Sequence, residues 1–336
     1  MKTFSIQEGD IRPDDLLAGQ LEAYEKDVQR LQQRRAEFIL VPCPACEGGM
    51  SHTAFEKYQC SFVECDDCGT LYMNPRPTPE IMAAYYQDSE NYRYWAEYIF
   101  PASEAVRKEK LYKPWVQRIA AICSERANAG GRLLEIGAGF GGFAQTALQA
   151  GIFKEIVVIE PTPEMAAACR ERGLKVIEKR VEDVSPEEIG TVDILVSFEV
   201  VEHLFAPAEF FRQARRLLSP GGLLVVSCPN GQGFDVMMLG ALSSAVDTEH
   251  VNLLNPSSLR KMLEAQNFMG IQIDTPGRLD AELVRKAALS GGYVLSEPFL
   301  RRVLIDEWKT LGGPFQDFLA QNKLSSHMWA FAQKGA

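Results

Sequence analysis

Residues 132–142 read Arg-Leu-Leu-Glu-Ile-Gly-Ala-Gly-Phe-Gly-Gly, an apolar run that ends in a cluster of glycines. The run predicts a buried strand, and the glycines predict a tight turn into a helix in which the backbone can approach a ligand closely. Gly137, Gly139 and Gly142 also satisfy the G-x-G-x-x-G spacing of dinucleotide-binding folds. Taken alone, the stretch indicates a nucleotide-type cofactor or, as the alternative, a tight turn without a ligand.

The chain beyond residue 131 alternates short apolar runs with amphipathic helical segments. Seven runs are candidate strands: 132–137, 155–160, 174–178, 192–198 and 222–229, then two more near 270–274 and 327–333. Apolar strands separated by helices predict an α/β fold with a largely parallel sheet that helices cover on both faces. Residues 276–325, between the last two runs, are helical in pattern, and we expect an insertion that serves as a lid.

Three further features narrow the choice of cofactor. Glu135 lies two places before the first glycine, and Glu160 ends the next predicted strand, 21 residues after Gly139. An acid at that second strand end can accept hydrogen bonds from ribose hydroxyls, although NAD sites use one there as well. Residues 217–224, Leu-Leu-Ser-Pro-Gly-Gly-Leu-Leu, predict the end of a helix followed by the fifth strand.

The set E-x-G-x-G-x-G, an acid closing the second strand, 193–203 (D-I-L-V-S-F-E-V-V-E-H) and L-x-P-G-G-x-L resembles the class I methyltransferases that use S-adenosylmethionine (SAM). The resemblance covers about 110–275 and the final strand, and it implies a Rossmann-like sheet of seven strands. It also implies roles for these residues: Glu135, Gly137, Ala138, Gly139 and Gly141 at the amino-acid part of SAM, Glu160 at the ribose, Glu182 and Asp183 by the adenine, and Phe198 and Glu199 facing the sulfonium and the substrate. For Glu182 and Asp183, a solvated loop is the alternative.

Two C-x-x-C pairs precede this region. Cys43 and Cys46 form one pair, Cys65 and Cys68 the other, and 18 residues separate them. This spacing predicts a zinc ribbon in which four thiolates close a tetrahedral structural Zn²⁺ site, and the alternative is four unrelated thiols. Cys60 is a fifth candidate, which we interpret as a free thiol.

The stretch after the second pair contains Asn-Pro-Arg-Pro at 74–77 and a helical pattern. A zinc knuckle followed by this motif resembles the amino-terminal metal modules of bacterial methyltransferases of nucleotide-sugar, polysaccharide and secondary-metabolite pathways. The predicted organisation is an N-terminal helix (1–40), a zinc-binding module (41–77), a helical connector or cap (78–130) and the methyltransferase domain (131–336).

The charge argues against a nucleic-acid substrate. The chain carries a net charge of −10, and residues 1–115 hold 13 basic and 19 acidic side chains. Proteins that bind phosphate backbones usually carry a basic surface, so we expect a small-molecule acceptor, with carbohydrate favoured. The first residues lack the apolar segment of a signal peptide, and no window approaches the ~18 apolar residues of a membrane span, so the expected location is the cytoplasm.

Methyl transfer to a hydroxyl or an acidic C–H requires a base, and histidine titrates near neutral pH. His203 follows the fourth predicted strand in Glu199-Val-Val-Glu-His203, and His250 lies in Glu-His-Val-Asn just before a predicted helix. We rank His250 above His203, with Glu199 beside them, and a histidine hydrogen-bonded into a loop is the alternative for each. His327, in the last strand, is interpreted as structural.

The sequence therefore predicts SAM-dependent methylation, at carbon or oxygen, of a sugar or nucleotide-sugar type acceptor. One alternative is an RNA methyltransferase whose zinc module binds RNA. That function would require a basic surface around the cysteines, whereas residues 64–67 are acidic. The other alternative is a SAM-binding scaffold without activity.

Overall fold

The structure is a computed structural model that describes residues 6–125 and 130–335. In those residues the strands are β1 (Ser51–Lys57), β2 (Cys60–Cys65), β3 (Leu71–Met73), β4 (Arg132–Ile136), β5 (Glu155–Ile159), β6 (Lys175–Ile177), β7 (Val192–Phe198), β8 (Leu218–Pro229), β9 (Asn252–Leu253), β10 (Phe268–Asp274) and β11 (His327–Lys334).

The helices are α1 (Glu8–Ile11), α2 (Leu17–Gln33), α3 (Pro79–Asp88), α4 (Glu90–Tyr94), α5 (Phe100–Arg107), α6 (Lys113–Glu125), α7 (Gly142–Ala150), α8 (Pro163–Glu171), α9 (Pro186–Ile189), α10 (Pro207–Leu217), α11 (Phe234–Leu239), α12 (Pro256–Ala265), α13 (Asp280–Leu289), α14 (Pro298–Arg301) and α15 (Trp308–Gln321). Short π-helical turns continue α4, α5 and α14. None of these helices is both long and apolar enough to cross a bilayer.

Seven strands form one sheet in the order β10-β11-β8-β7-β4-β5-β6. Only β11 among them runs antiparallel to both its neighbours, β8 and β10. Separate apolar clusters cover the two faces, as the continuous apolar runs require, since a strand buried on both faces has no polar side. The predicted α/β fold with a seven-stranded sheet is confirmed.

Strand β8 begins earlier than predicted. The helix ends at Leu217, and residues 218–221, which precede the predicted start of the strand at 222, already belong to the strand, because Leu218 pairs with Val192 before the register shifts and Leu223 pairs with Ile194. Gly221 has a φ of 74°, which suits the local bend at this irregularity. The turn motif therefore forms a bulge in a strand rather than a separate loop.

A second sheet has the order β1-β2-β3-β9 and contains the cysteine-rich segment. Its first three strands are antiparallel neighbours in the chain, whereas β9 comes from far downstream, with Leu253 paired to Leu71. A strand of two residues has no periodicity that could reveal it. This pairing joins the cysteine-rich segment to the chain that immediately follows His250.

The N-terminal helix α2 buries part of its predicted apolar stripe, with Tyr24, Val28 and Leu31 inside. Asp27, on the same face, is fully buried and accepts hydrogen bonds from Ser89 Oγ (2.6 Å) and the Asn91 backbone N–H (2.9 Å). These bonds satisfy the free N–H groups at the start of α4, so α2 is anchored to the helices that follow the cysteine-rich segment.

Candidate active site

The glycine loop, residues 137–142, joins β4 to α7. Its backbone takes left-handed φ values of 75° at Gly137, 55° at Gly139 and 75° at Gly141, which side chains with a Cβ disfavour. A Cβ on Gly137 would lie 2.5 Å from Cγ2 of Val200. The loop thus depends on glycine for both its conformation and its close packing.

A cavity of about 340 Å³ opens against this loop. That volume falls within the range of about 300–1,000 Å³ usual for small-molecule sites. The lining residues that bear on function are Phe100, Arg107, Tyr112, Trp115, Glu135, Gly137, Ala138, Gly139, Phe140, Gly142, Phe143, Phe198 and Glu199. Most of the residues predicted to hold the cofactor therefore lie around one cavity.

Glu135 lines this cavity, and one of its carboxylate oxygens, Oε2, is buried and has no hydrogen-bond partner among the residues that the structure describes. Burial raises the pKa of Glu135 well above its ordinary value, and a hydrogen bond from the Ala144 backbone only partly opposes this. A buried acceptor without a partner is costly, so Glu135 is suited to receive a donor from a ligand. The ammonium group of an amino acid is such a donor.

Glu160, at the end of β5, fixes the loop from the other side. Its Oε2 accepts the Gly139 N–H at 2.8 Å, and its Oε1 accepts the Thr162 N–H at 2.9 Å. Burial nevertheless raises the pKa of this carboxyl group. Each carboxylate oxygen can accept more than one hydrogen bond, so acceptance from ribose hydroxyls is compatible with these contacts.

Aromatic side chains form the roof of the cavity. Phe100 packs on Phe140 of the glycine loop with ring centroids 4.6 Å apart, and Trp115 packs on Phe198 at 4.9 Å. No described residue of 276–325 lines the cavity, so the expected lid over the loop is not found there. The helices of that segment pack instead on α11 in a separate apolar cluster.

Glu182 and Asp183 lie in a short turn after β6 with exposed side chains. Asp183 accepts a hydrogen bond from Nε of Arg180 at 3.1 Å. Neither acid is among the described residues that line the cavity. Their contact with adenine stays a prediction.

Comparison with known families bears directly on this arrangement. Residues 105–273, half of the chain, match a family model described as a methyltransferase domain. The chain belongs to this methyltransferase family. The matched part of the methyltransferase begins in α5, the helix that carries Phe100. It includes the glycine loop, Glu160 and β7, but not the four paired cysteines.

Proteins similar to this chain are also named methyltransferases, but each aligns with only part of it. A probable S-adenosylmethionine-dependent methyltransferase of Mycobacterium tuberculosis is 27% identical over 195 residues, which are 57% of this chain and 66% of that protein. A ubiquinone biosynthesis O-methyltransferase of Xanthomonas oryzae is 32% identical over 108 residues, 30% of this chain and 44% of that one. The solved phosphoethanolamine N-methyltransferase 2 of Haemonchus contortus aligns at a TM-score of 0.43 with 20% identity, over 66% of this chain and 53% of its own. The methyltransferase thus spans less than two thirds of the length of these relatives.

Glu199 lies at the cavity edge, directly after β7, with a left-handed φ of 54°. Its Oε1 is 2.9 Å from Nε2 of His327 and accepts a hydrogen bond from Ser227 Oγ at 2.6 Å. Burial opposes ionisation of Glu199, but the adjacent His327 and the Ser227 hydroxyl outweigh it and lower the pKa to about 2. His327, interpreted from the sequence as structural, is therefore the partner of a cavity carboxylate.

His203 and His250 lie beside each other rather than in the cavity wall, with ring centroids 4.8 Å apart. Nδ1 of His203 is 3.2 Å from the Glu249 carbonyl oxygen, and Nδ1 of His250 is 2.9 Å from the Ala245 carbonyl oxygen. Burial and the neighbouring His250 lower the pKa of His203 to about 4, so this imidazole is neutral near pH 7. Their role as bases stays a prediction.

The four paired cysteines converge. The sulfurs of Cys43 and Cys68 are 3.6 Å apart, those of Cys46 and Cys65 are 3.5 Å apart, and all four lie within 4.8 Å of one another. A tetrahedral site with Zn–S bonds of about 2.3 Å requires sulfur separations of roughly 3.8 Å. The donor set therefore fits Zn²⁺. Cys60 lies elsewhere, against Nε2 of Gln32.

Two polar residues after β8, Asn230 and Asp235, are not among the residues that line the cavity. Asn230 is fully buried and donates to the Ser325 carbonyl at 2.9 Å, and Asp235 is buried and accepts from Ser243 Oγ at 2.8 Å. Both instead brace the C-terminal helical segment and the turn after α11.

Proposed function

We propose that this protein transfers the methyl group of SAM to a small-molecule acceptor of the sugar or nucleotide-sugar class. The observation that carries the proposal is the buried Oε2 of Glu135, which has no partner in the described part of the chain and belongs to the wall of a cavity that the glycine loop and aromatic rings also line. Glu135 would bind the ammonium of the methionine moiety, and Glu160 would accept from the ribose. These are the roles that the family resemblance implies for the two residues.

SAM, when bound, supplies a methyl group already activated by its sulfonium, so the protein mainly aligns the reactants and excludes water. The rings of Phe100 and Trp115 restrict water at the cavity. Glu199, held ionised by His327, can accept a hydrogen bond from an acceptor hydroxyl and orient its oxygen. The neutral imidazole of His203 is a candidate to take up the proton that leaves the acceptor.

The acceptor class is inferred from charge and from the amino-terminal module. The chain carries a net charge of −10, and an acidic protein repels a phosphodiester polymer more strongly than it repels a single small substrate. Carboxylates and imidazoles are suitable partners for sugar hydroxyls. These features favour a carbohydrate over RNA, and methylation at carbon or oxygen is compatible with both candidate bases.

We further propose that Cys43, Cys46, Cys65 and Cys68 bind one structural Zn²⁺. Three of the four are buried, and four thiolates leave no open coordination position for substrate or water. Three of the four cysteines make up most of the small buried cluster at this site, with Val63 and Tyr72, so the metal would supply folding free energy there.

Titration calorimetry on zinc-replete protein tests the assignment of the cofactor. SAM should bind, NAD should not, and Glu135→Gln should weaken SAM at least about 10-fold because one charged hydrogen bond is lost. Binding of NAD but not SAM would contradict the proposal. Transfer of labelled methyl groups to nucleotide sugars, with RNA as the competing substrate, then tests the acceptor class, and SAM binding without any turnover would support the scaffold alternative.

A further inference from the structure

Glu202, His203 and His250 form a cluster that the proposed chemistry does not fully use. One ligand atom of each lies within 4.8 Å of the other two. Glu202 is 1% exposed, and neither of its carboxylate oxygens has a hydrogen-bond partner among the described residues. A buried carboxylate without any partner is expensive, so the structure implies that something neutralises it.

The contacts of the two imidazoles indicate which nitrogen of each ring carries the proton. A backbone carbonyl can only accept, so Nδ1 of His203 carries its proton towards the Glu249 carbonyl, and Nδ1 of His250 carries its proton towards the Ala245 carbonyl. Nε2 of each ring is then unprotonated and free to bind a cation. Histidines that bind metals are commonly held in this way, by a hydrogen bond at the other ring nitrogen.

Neighbouring residues hold the cluster in shape. Asn252 donates from Nδ2 to the carbonyl oxygens of Val201 and Leu204, at 3.2 and 2.6 Å, on either side of Glu202 and His203. Asp247 accepts the backbone N–H of His250 at 2.7 Å. The three side chains therefore lie on a braced framework, as a metal site requires.

We propose that Glu202, His203 and His250 bind one divalent transition-metal cation, of the Mn²⁺, Fe²⁺ or Zn²⁺ type. Two imidazoles and one carboxylate suit these ions better than Mg²⁺, and three protein ligands leave coordination positions open. Glu199, three residues before Glu202, lies at the cavity edge. If the proposed methyl transfer is correct, an open position can take an acceptor oxygen and promote transfer of its proton to water. His203, bound to the cation, would then be a ligand and not the base, and this use of the cation rests on that function.

The test uses the full chain with its cysteines loaded with Zn²⁺, because thiolates retain zinc in preference to manganese. Calorimetric and electron paramagnetic resonance titrations with Mn²⁺ should show one additional bound ion. Glu202→Gln, which preserves the shape of the side chain, and His250→Gln should each weaken Mn²⁺ binding by at least about 10-fold. Loss of a residue that only hydrogen-bonds to a metal ligand already lowers metal affinity by about 10-fold or more. The matched control is His52→Gln, since His52 also pairs with a carboxylate, Asp66, at the surface.

The proposal is overturned if the wild type takes up no Mn²⁺ beyond its zinc, or if Glu202→Gln binds Mn²⁺ as tightly as the wild type. Thermal unfolding and SAM titration of each variant show that a loss of Mn²⁺ is not a loss of fold. Mn²⁺ binding without methyl transfer would leave the metal site standing and reject the proposed function, and methyl transfer without Mn²⁺ binding would do the reverse.

Discussion

Nη1 of Arg76 donates to Oδ1 of Asn252 at 3.0 Å, with both side chains fully buried. Arg76 belongs to the Asn-Pro-Arg-Pro stretch after the cysteines and also donates to the Phe205 carbonyl at 3.2 Å. Asn252, the first residue of β9, donates in turn to Leu204. The pair therefore connects the cysteine-rich sheet to the turn that carries Glu202 and His203, and it explains why that sheet recruits β9.

Asn252→Ala should lower the free energy of unfolding by about 2–4 kcal/mol, because several buried partners lose a hydrogen bond at once. Urea denaturation measures the change. The control is Asn322→Ala, which removes an exposed side chain bonded to the Phe318 carbonyl and should change stability by less than about 0.5 kcal/mol. Equal effects of the two substitutions would show that the buried hydrogen bonds of Asn252 do not contribute to the free energy of unfolding.

Removal of Zn²⁺ should unfold the sheet β1-β2-β3-β9, since metal binding supplies its folding free energy. We expect Cys65→Ser to lower the zinc content and the melting temperature together, measured by metal analysis and calorimetry. Cys60→Ser is the matched control, because Cys60 is similarly buried on the same strand but lies outside the cluster. Loss of zinc in Cys60→Ser with retention in Cys65→Ser would contradict the ligand assignment.

The main sheet could be predicted because each of its strands can be recognised from its own stretch of sequence. Runs such as 156–159 are continuously apolar, and a cluster of glycines such as that at 137–142 is typical of a loop that binds a ligand. Glu135 and Glu160 could be placed because each ends such a strand. The convergence of the four cysteines was predictable for a similar reason, since their spacing is itself the signal.

The pairing of Glu199 with His327 could not be predicted in the same way. The two residues are 128 positions apart, and they meet because β11 runs antiparallel beside β8, with His327 opposite Pro229. A last strand of reversed direction starts at the edge where the parallel strands end, and that orientation is the only signal for His327. The packing of 276–325 on α11 could not be predicted either, because amphipathic helices show an apolar face without showing which cluster it joins. The role of this segment as a lid stays a prediction.

Gly137→Ala should abolish measurable SAM binding. The substitution imposes a Cβ on a residue with a φ of 75° and within 2.5 Å of Val200, so the loop must move. Calorimetry with SAM checks this. Gly151→Ala is the control, because Gly151 also has a positive φ, 63°, but no atom of the described residues 6–125 and 130–335 lies within 4 Å of the position that a Cβ would take there. Equal loss of SAM binding in both would indicate general backbone strain rather than a role of the loop.

His327→Gln should reduce kcat roughly 10-fold or more, because His327 orients Glu199 and keeps its carboxylate ionised. SAM affinity should change much less, because His327 itself does not line the cavity. Steady-state kinetics with labelled SAM separate kcat from KM. His52→Gln breaks an ion pair of similar geometry at the surface and should leave kcat unchanged. If His327→Gln raises the KM for SAM with kcat unchanged, the pair serves binding and not the transfer step.

Asp235→Asn should stabilise the protein at pH 8 and not at pH 4. Burial, together with the charge of Asp280, raises the pKa of Asp235 from 3.8 to about 7. Between pH 3.8 and about 7 the folded protein therefore keeps a proton that the unfolded chain has released. The free energy of unfolding is highest below pH 3.8 and falls as the pH rises to about 7, by on the order of 4 kcal/mol. Asparagine carries no such proton and can still accept from Ser243. Urea denaturation at both pH values measures the difference, with the exposed Asp306→Asn as control, and a variant whose stability follows the same pH profile as the wild type would show that Asp235 is ionised in the folded state.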